Sequence, residues 1–300
     1  MFRTLHNQAR LVLKVQPVSP VLVKSAGGGL DPTRPEMEFV TVMTDLGRVE
    51  YLPGSTIKGG LRAFTERLLL ALGKRVCDPI EKKSPCSDRE HRAYPRQCDA
   101  CKIFGSPNLA GRLRAVDGLP WRLGAPDEDR KAGRDALRRD TRANVAIDRA
   151  SGASSAKGLF DMDVVVGGAF YPELTLRNFQ LWQLALIGLG INEFNDGYQQ
   201  IGSGKSRGLG RISCTVDSLE VKQVGALANP DELRGVGAVP GEQSRAYRLS
   251  EADRQPLLEG GTRFSAGPLS SARFGAEEAT KLLTGLADSE AMRRFLEVSK

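Results

Sequence analysis

Apolar and polar residues alternate through residues 10–24, RLVLKVQPVSPVLVK, which predicts a first strand bent by its two prolines. A loop rich in Gly and Pro follows at 25–39, and a short strand is expected near Val49-Glu50-Tyr51-Leu52. Pro53-Gly54-Ser55 reads as a turn whose serine or threonine can cap a helix. The period then changes: Ile57, Leu61, Phe64, Leu68 and Leu72 recur at helical spacing and predict a helix over 56–72 with one apolar stripe. A strand is expected at 112–117, whereas 122–142 is polar and charged with no apolar period. Residues 143–150 and 158–166 read as the arms of a hairpin around Ser151–Ser155. A strand at 168–177 leads to a second helix at 178–190, with Phe179, Trp182, Leu186 and Leu189 on one side. After a loop at 201–210, a strand from Arg211 to Val221 places Ile212, Cys214 and Val216 on one face.

The order strand–helix–strand–strand–helix–strand predicts an α+β fold of ferredoxin-like (RRM-like) topology over residues 1–225. Segments 77–101 and 122–166 are insertions in it. Beyond residue 225 the composition shifts to Gly, Pro and charge, so 226–300 is expected to be an extension with one amphipathic helix at 276–298. No internal repeat is visible. A chain of 300 residues can bury one substantial core. No apolar run is long enough for a membrane span, and Met1–His6 lacks the apolar stretch of a signal peptide, so a cytoplasmic location is expected.

The net charge of +7 favours polyanionic partners, since each neutralised phosphate releases condensed counterions, but charge alone also fits an ordinary basic surface. Its placement is more informative. Ile201-Gly202-Ser203-Gly204-Lys205-Ser206-Arg207-Gly208-Leu209-Gly210-Arg211 combines four glycines with three cations. Glycines allow positive φ and close backbone approach, so successive N–H groups can converge on phosphate oxygens, with Lys205, Arg207 and Arg211 adding charge. Gly204-Lys205-Ser206 is not a nucleotide-binding P-loop: position 199 is Gln rather than Gly, and the loop precedes a strand instead of opening a helix. The other anion-binding candidate is the start of the first helix, Leu52-Pro53-Gly54-Ser55-Thr56-Ile57-Lys58-Gly59-Gly60-Leu61-Arg62, where Ser55, Lys58 and Arg62 accompany the free N–H groups of the helix end. Gly59 and Gly60 weaken a helix unless something must approach it closely. Between 130 and 149, Arg130, Lys131, Arg134, Arg138, Arg139, Arg142 and Arg149 alternate with Asp135, Asp140 and Asp148, a pattern that fits an RNA-facing surface or a solvated one.

Four of the five cysteines, Cys77, Cys86, Cys98 and Cys101, fall within 25 positions in a segment poor in apolar residues. Four thiolates suit a structural tetrahedral Zn²⁺ site, with His91 an alternative fourth ligand. Cys214, alternating with apolar residues, is expected in the core.

The helix start (52–62), Cys101-Lys102-Ile103-Phe104-Gly105-Ser106 and the glycine-rich loop (201–211) together resemble the RAMP superfamily, and more narrowly the stacked backbone subunits of type III CRISPR effector complexes. Thr141–Gly152 is similar to the thumb hairpin of that family, and the resemblance spans roughly residues 8–222. It implies a ferredoxin-like palm that holds CRISPR guide RNA, a thumb that interrupts the guide–target duplex, target RNA as a second ligand, and contacts with neighbouring backbone and other effector subunits. Asn144 and Ile147, with Val145, are the thumb residues expected to touch RNA. In catalytically active members an acidic residue in the loop after the first strand is the nuclease residue, and Asp31 is the matching position, with Glu36 and Glu38 nearby. A carboxylate there would act with Mg²⁺ or Mn²⁺. Two alternatives stay open: a subunit that binds guide RNA without cutting, and a standalone nuclease that processes precursor RNA.

Overall fold

The alternation of β1 (Asn7–Pro17) buries Asn7, Ala9, Leu11, Leu13 and Val15 and turns Gln8, Arg10, Val12 and Lys14 to the opposite face. Inside a sheet its backbone N–H and C=O groups need partners on both edges. In this computed structural model β1 pairs antiparallel with β7 (Tyr171–Arg177) on one side and β8 (Ile212–Val224) on the other. The full sheet has the order β11 (Thr262–Ala266), β12 (Leu269–Phe274), β8, β1, β7, β4 (Leu113–Leu119), and every neighbouring pair is antiparallel. The structure describes residues 4–25, 35–78, 86–88, 90, 92–241, 247, 249–257 and 260–297.

The apolar face of the sheet is covered by helices. Helix α1 (Gly54–Ala71) buries Ile57, Leu61, Phe64 and Leu69 and packs against β4 and α4 (Leu181–Asn195). Helix α4 is apolar almost all round, as expected of a helix with neighbours on every side, because α5 (Ala276–Ala287) and α6 (Glu290–Glu297) cover it. Two glycines set the approach of α1 to α4. A Cβ at Gly60 would lie 2.7 Å from the Phe194 ring, and one at Gly190 would lie 2.7 Å from Leu61. Gly59, by contrast, faces open space.

Several elements differ from the sequence reading. β1 ends at Pro17, and the chain that follows meets β6 (Ser154–Gly167) through the isolated bridge Val21↔Val165 instead of continuing the strand. The short strand near Val49 is the second arm of a hairpin, β2 (Thr41–Thr44) and β3 (Gly47–Glu50). Ser55 does not cap α1: the cap position is Pro53, without a side-chain bond, and the Gly54 N–H donates to Asp117 Oδ1 at 2.8 Å. The stretch 122–142 contains a helix, α3 (Asp127–Asp135), which buries none of its residues and so shows no apolar period; three acids in its first turn and Arg134 in its last suit the helix dipole. Its neighbours β5 (Arg138–Ile147) and β6 form a longer hairpin than the two arms expected. The single helix expected at 276–298 is two helices, because Ser289 stops one and starts the next. Its Oγ donates to Leu286 O at 2.6 Å and accepts from Met292 N at 3.2 Å. In the same region β9 (Glu232–Arg234) pairs with β10 (Arg254–Pro256), while β11 and β12 extend the main sheet through β8.

Candidate nucleic-acid interface and metal centre

The glycine-rich loop is a defined structure. Gly202, Gly204, Gly208 and Gly210 all have positive φ, and a 3₁₀ turn spans Lys205–Arg207. The loop is fastened to the segment that leaves β1: Ser203 N donates to Leu22 O at 2.8 Å and Gly210 N to Pro20 O at 2.9 Å. A Cβ at Gly202 would lie 2.1 Å from Leu22 O, so close backbone approach requires glycine there. Leu209 turns inward to a small core with Leu22, Met162 and Val164, which joins loop, β1 exit and hairpin base. Ser206, Lys205 and Arg207 remain exposed, and Arg207 lies over the Phe160 ring of β6 at 5.4 Å. Arg211 is exposed, with its guanidinium against Gly197.

Helix α1 joins this loop through Arg67, which donates to Gln199 Oε1 at 2.7 Å, two positions before the loop begins. Its outward strip starts with the exposed Ser55 and Gly59, with Lys58 half-buried between them. Burial, aided by the charge of Arg62, holds the Lys58 ammonium below the usual lysine range. Asp117 already engages one N–H of the helix start, so the site there for an outside anion is smaller than a bare helix end. The hairpin places Val145 (50% exposed) and Ile147 (67%) outward, and Asn144 donates to Arg142 O at 3.3 Å.

Between the hairpin base and β2–β3 lies a polar cavity of about 380 Å³, lined by Pro35, Glu38, Phe39, Thr41, Arg48, Arg139, Thr141 and Asp163. Arg139 bridges Glu50 at 2.6 Å and Asp163 at 3.8 Å. Burial, with the neighbouring Glu50 and Glu38 charges, raises the Asp163 carboxyl despite Arg139. Asp31 and His91 fall outside the described residues. Asp117, Phe160 and Asp163 were not singled out by sequence. Phe160 and Asp163 lie in a strand read only for its hairpin, and a capping acid 63 residues from its helix carries no local signal.

The four clustered cysteines converge. Cys77, Cys86, Cys98 and Cys101 are buried, and their sulfurs all lie within 4.8 Å of one another. A tetrahedral zinc site with bonds of about 2.3 Å has S···S edges of about 3.8 Å. Cys77 Sγ lies 3.6 Å from Cys98 Sγ and 3.4 Å from Cys101 Sγ, so the donor set fits such an ion. Local backbone donors aim at the sulfurs: Cys98 N donates to Cys86 Sγ at 3.2 Å, and Cys101 N to Cys98 Sγ at 3.5 Å where Cys98 caps α2 (Asp99–Phe104). The hydrogen bond with Cys101 holds the Cys98 thiol below its ordinary range and pushes that of Cys101 up, while burial drives Cys86 to about 12. Four buried thiols in these positions could hold a metal such as zinc. Cys214 is fully buried on β8, its thiol pushed up to about 12 by desolvation.

No described helix is long and apolar enough to cross a membrane. A search of curated proteins finds no match to the chain. A family model does match: the RAMP superfamily, over residues 14–213, a span that runs from β1 through α1, the cysteine cluster, the hairpin and the glycine-rich loop into β8. The chain therefore belongs to the RAMP superfamily, whose members are in general CRISPR-associated RNA-binding proteins.

Proposed function

We propose that this chain is a guide-RNA-binding backbone subunit of a type III CRISPR effector complex and that it cleaves target RNA with Asp31 and Mg²⁺ or Mn²⁺. The observation that carries this reading is the anchored glycine-rich loop, which holds Lys205, Ser206 and Arg207 exposed beside the hairpin and one short step from α1. The sheet order β8-β1-β7-β4, with α1 and α4 on one face, supports a ferredoxin-like palm within residues 1–225. The β5–β6 hairpin fits the thumb, with Ile147 exposed near its tip for contact with RNA. Residues 226–300 form an extension that contributes to the same sheet. The cysteine cluster, read as structural Zn²⁺, ties the 77–101 insertion to the core.

For cleavage, the support is positional. Both ends of the segment that contains Asp31 are held near the loop and the hairpin: Leu22 bonds to Ser203, and Met37 exchanges backbone bonds with β6 through Asp161 and Asp163. A carboxylate there would assist deprotonation of the 2′-OH, and a divalent ion, which supplies charge stabilisation, would be held by it together with substrate phosphates. The test uses the assembled complex with labelled target RNA, with and without Mg²⁺. Regular guide-dependent cuts that vanish in Asp31→Ala, with binding retained, are expected. Binding without cuts in the unsubstituted protein would leave a non-catalytic guide-binding subunit, and cutting of free precursor RNA a processing nuclease. Cleavage unchanged by Asp31→Ala would remove that residue from the chemistry.

A further inference from the structure

The two cations of α1 that share a helix face have different surroundings. Lys58 is half-buried near the start of the helix, between the exposed Ser55 and Gly59. Arg62, one turn on, is only 22% exposed, and its guanidinium points toward the cysteine segment. Its Nε donates to Glu66 Oε1 at 2.7 Å, its Nη1 to Gly105 O at 3.3 Å, and its Nη2 to Cys101 Sγ at 3.9 Å. Burial works against its charge, but the bond and charge of Glu66, with the nearby Cys101, outweigh burial and hold it above the usual arginine range. All three nitrogens thus have an acceptor inside the protein, and two of those acceptors lie on α2 or at its end.

We infer that Arg62 is an outer ligand of the thiolate centre: a positioning residue that joins α1 to the metal site instead of contacting RNA phosphate. A divalent ion held by four thiolates carries a net charge of about −2, which is costly at a buried site unless cations and N–H donors face the sulfurs. Backbone N–H groups serve Cys86 and Cys98, while the Cys101 sulfur is served by Arg62 Nη2. Arginine suits the task because one planar group reaches a carboxylate, a carbonyl and a sulfur at once, which a lysine cannot do. Held by Glu66 of its own helix, the same guanidinium ties α2 to α1 through Gly105 and Cys101, so metal occupancy and the placement of the outward strip of α1 are coupled. This rests on the metal-binding reading of the cysteines, and its test has readouts independent of RNA.

The full-length chain is loaded with Co²⁺, whose thiolate charge-transfer absorption reports the sulfurs directly, and zinc retention is measured by competition with a chelator. Binding of a single-stranded RNA is followed across a range of salt concentrations. Arg62→Gln is expected to weaken metal retention by about 10–100-fold and to shift the cobalt band, with the salt slope of RNA binding unchanged. Arg62→Lys should fail to restore the band, and Glu66→Gln should leave it in place. If Arg62→Gln does not fold, Arg62→Lys carries the same readouts. The inference is overturned if metal retention and the cobalt band are unaffected while the salt slope falls by about 0.7, the signature of one lost phosphate contact on a single strand. A parent protein without the charge-transfer band would overturn the metal reading itself. A parent that binds metal but no RNA would overturn the RNA reading and leave the role of Arg62 to be decided by the cobalt band.

Discussion

Gly202 and Lys205 stand three positions apart in one loop, and physical reasoning gives them opposite kinds of importance. Gly202 has φ of +72° and its α-carbon is turned to Leu22 O, where a side chain would meet the carbonyl at 2.1 Å. Alanine there combines an unfavourable backbone conformation with a clash against backbone, and the cost should exceed about 1 kcal/mol. Gly202→Ala is therefore expected to lower the midpoint of thermal unfolding measurably. Lys205 is exposed on the 3₁₀ turn, so Lys205→Ala should leave stability within about 0.5 kcal/mol. On the proposed function it should instead reduce the slope of log affinity for single-stranded RNA against log salt by about 0.7. Unfolding curves and binding titrations on the two variants separate the roles. Equal effects of both substitutions on stability would mean that Lys205 is part of the scaffold. The need for glycine was legible in the chain, because four glycines spaced among cations imply positive φ. The partner that makes Gly202 indispensable, a carbonyl far earlier in the chain at Leu22, was not.

Elements with a one-sided apolar pattern were the legible ones. β1 alternates cleanly, α1 has a single stripe, and the cysteine spacing pointed to a cluster that the fold brings together. Elements held by other means were missed. Helix α3 buries no side chain and shows only charge, and β11 is exposed along its whole length, gaining its place by backbone pairing with β12. The break between α5 and α6 depends on one serine hydroxyl inside an otherwise continuous amphipathic run. The start of α1 shows the same limit, since local sequence offered Ser55 as cap and the structure uses Asp117 from β4. Gly54 must be small for this docking, because a Cβ there would lie 2.9 Å from the backbone of Ala115. Asp117→Ala should accordingly cost about 1 kcal/mol in urea or thermal unfolding, typical of a lost N-terminal acceptor. Asp117→Asn, which keeps an acceptor oxygen, should cost less. A neutral Asp117→Ala would show that solvent satisfies the Gly54 N–H equally well.

Across the whole molecule, the region after residue 225 is locked to the sheet-and-helix core by a buried carboxylate. Asp253 Oδ1 accepts from Leu181 N at 2.8 Å, at the first residue of α4, and Oδ2 accepts from Gly237 N at 2.9 Å. Gly235 and Gly237 wrap it so closely that a Cβ at Gly235 would sit 2.0 Å from Oδ2. Burial pushes the Asp253 carboxyl up to about 7, although the two N–H donors and the charge of Arg112 oppose the shift. An unfolded aspartate titrates near pH ~3.9. Between that value and about 7 the folded protein holds a proton at Asp253 that the unfolded chain has released, so this group makes stability fall as pH rises through the window and adds no further slope above it. The opposite sign would hold for a carboxylate stabilised chiefly by its donors. Other titrating groups, including the cysteine cluster, also affect the pH profile of the unsubstituted protein, but they are common to Asp253→Asn and cancel in the difference between the two. Urea unfolding of both proteins from about pH 4 to about pH 8 should therefore give a stability difference that shifts steadily in favour of the Asp253→Asn variant as pH rises to about 7 and then levels off. A difference that stays constant over this range would mean that Asp253 is ionised throughout, with the donors of α4 and Gly237 outweighing its burial.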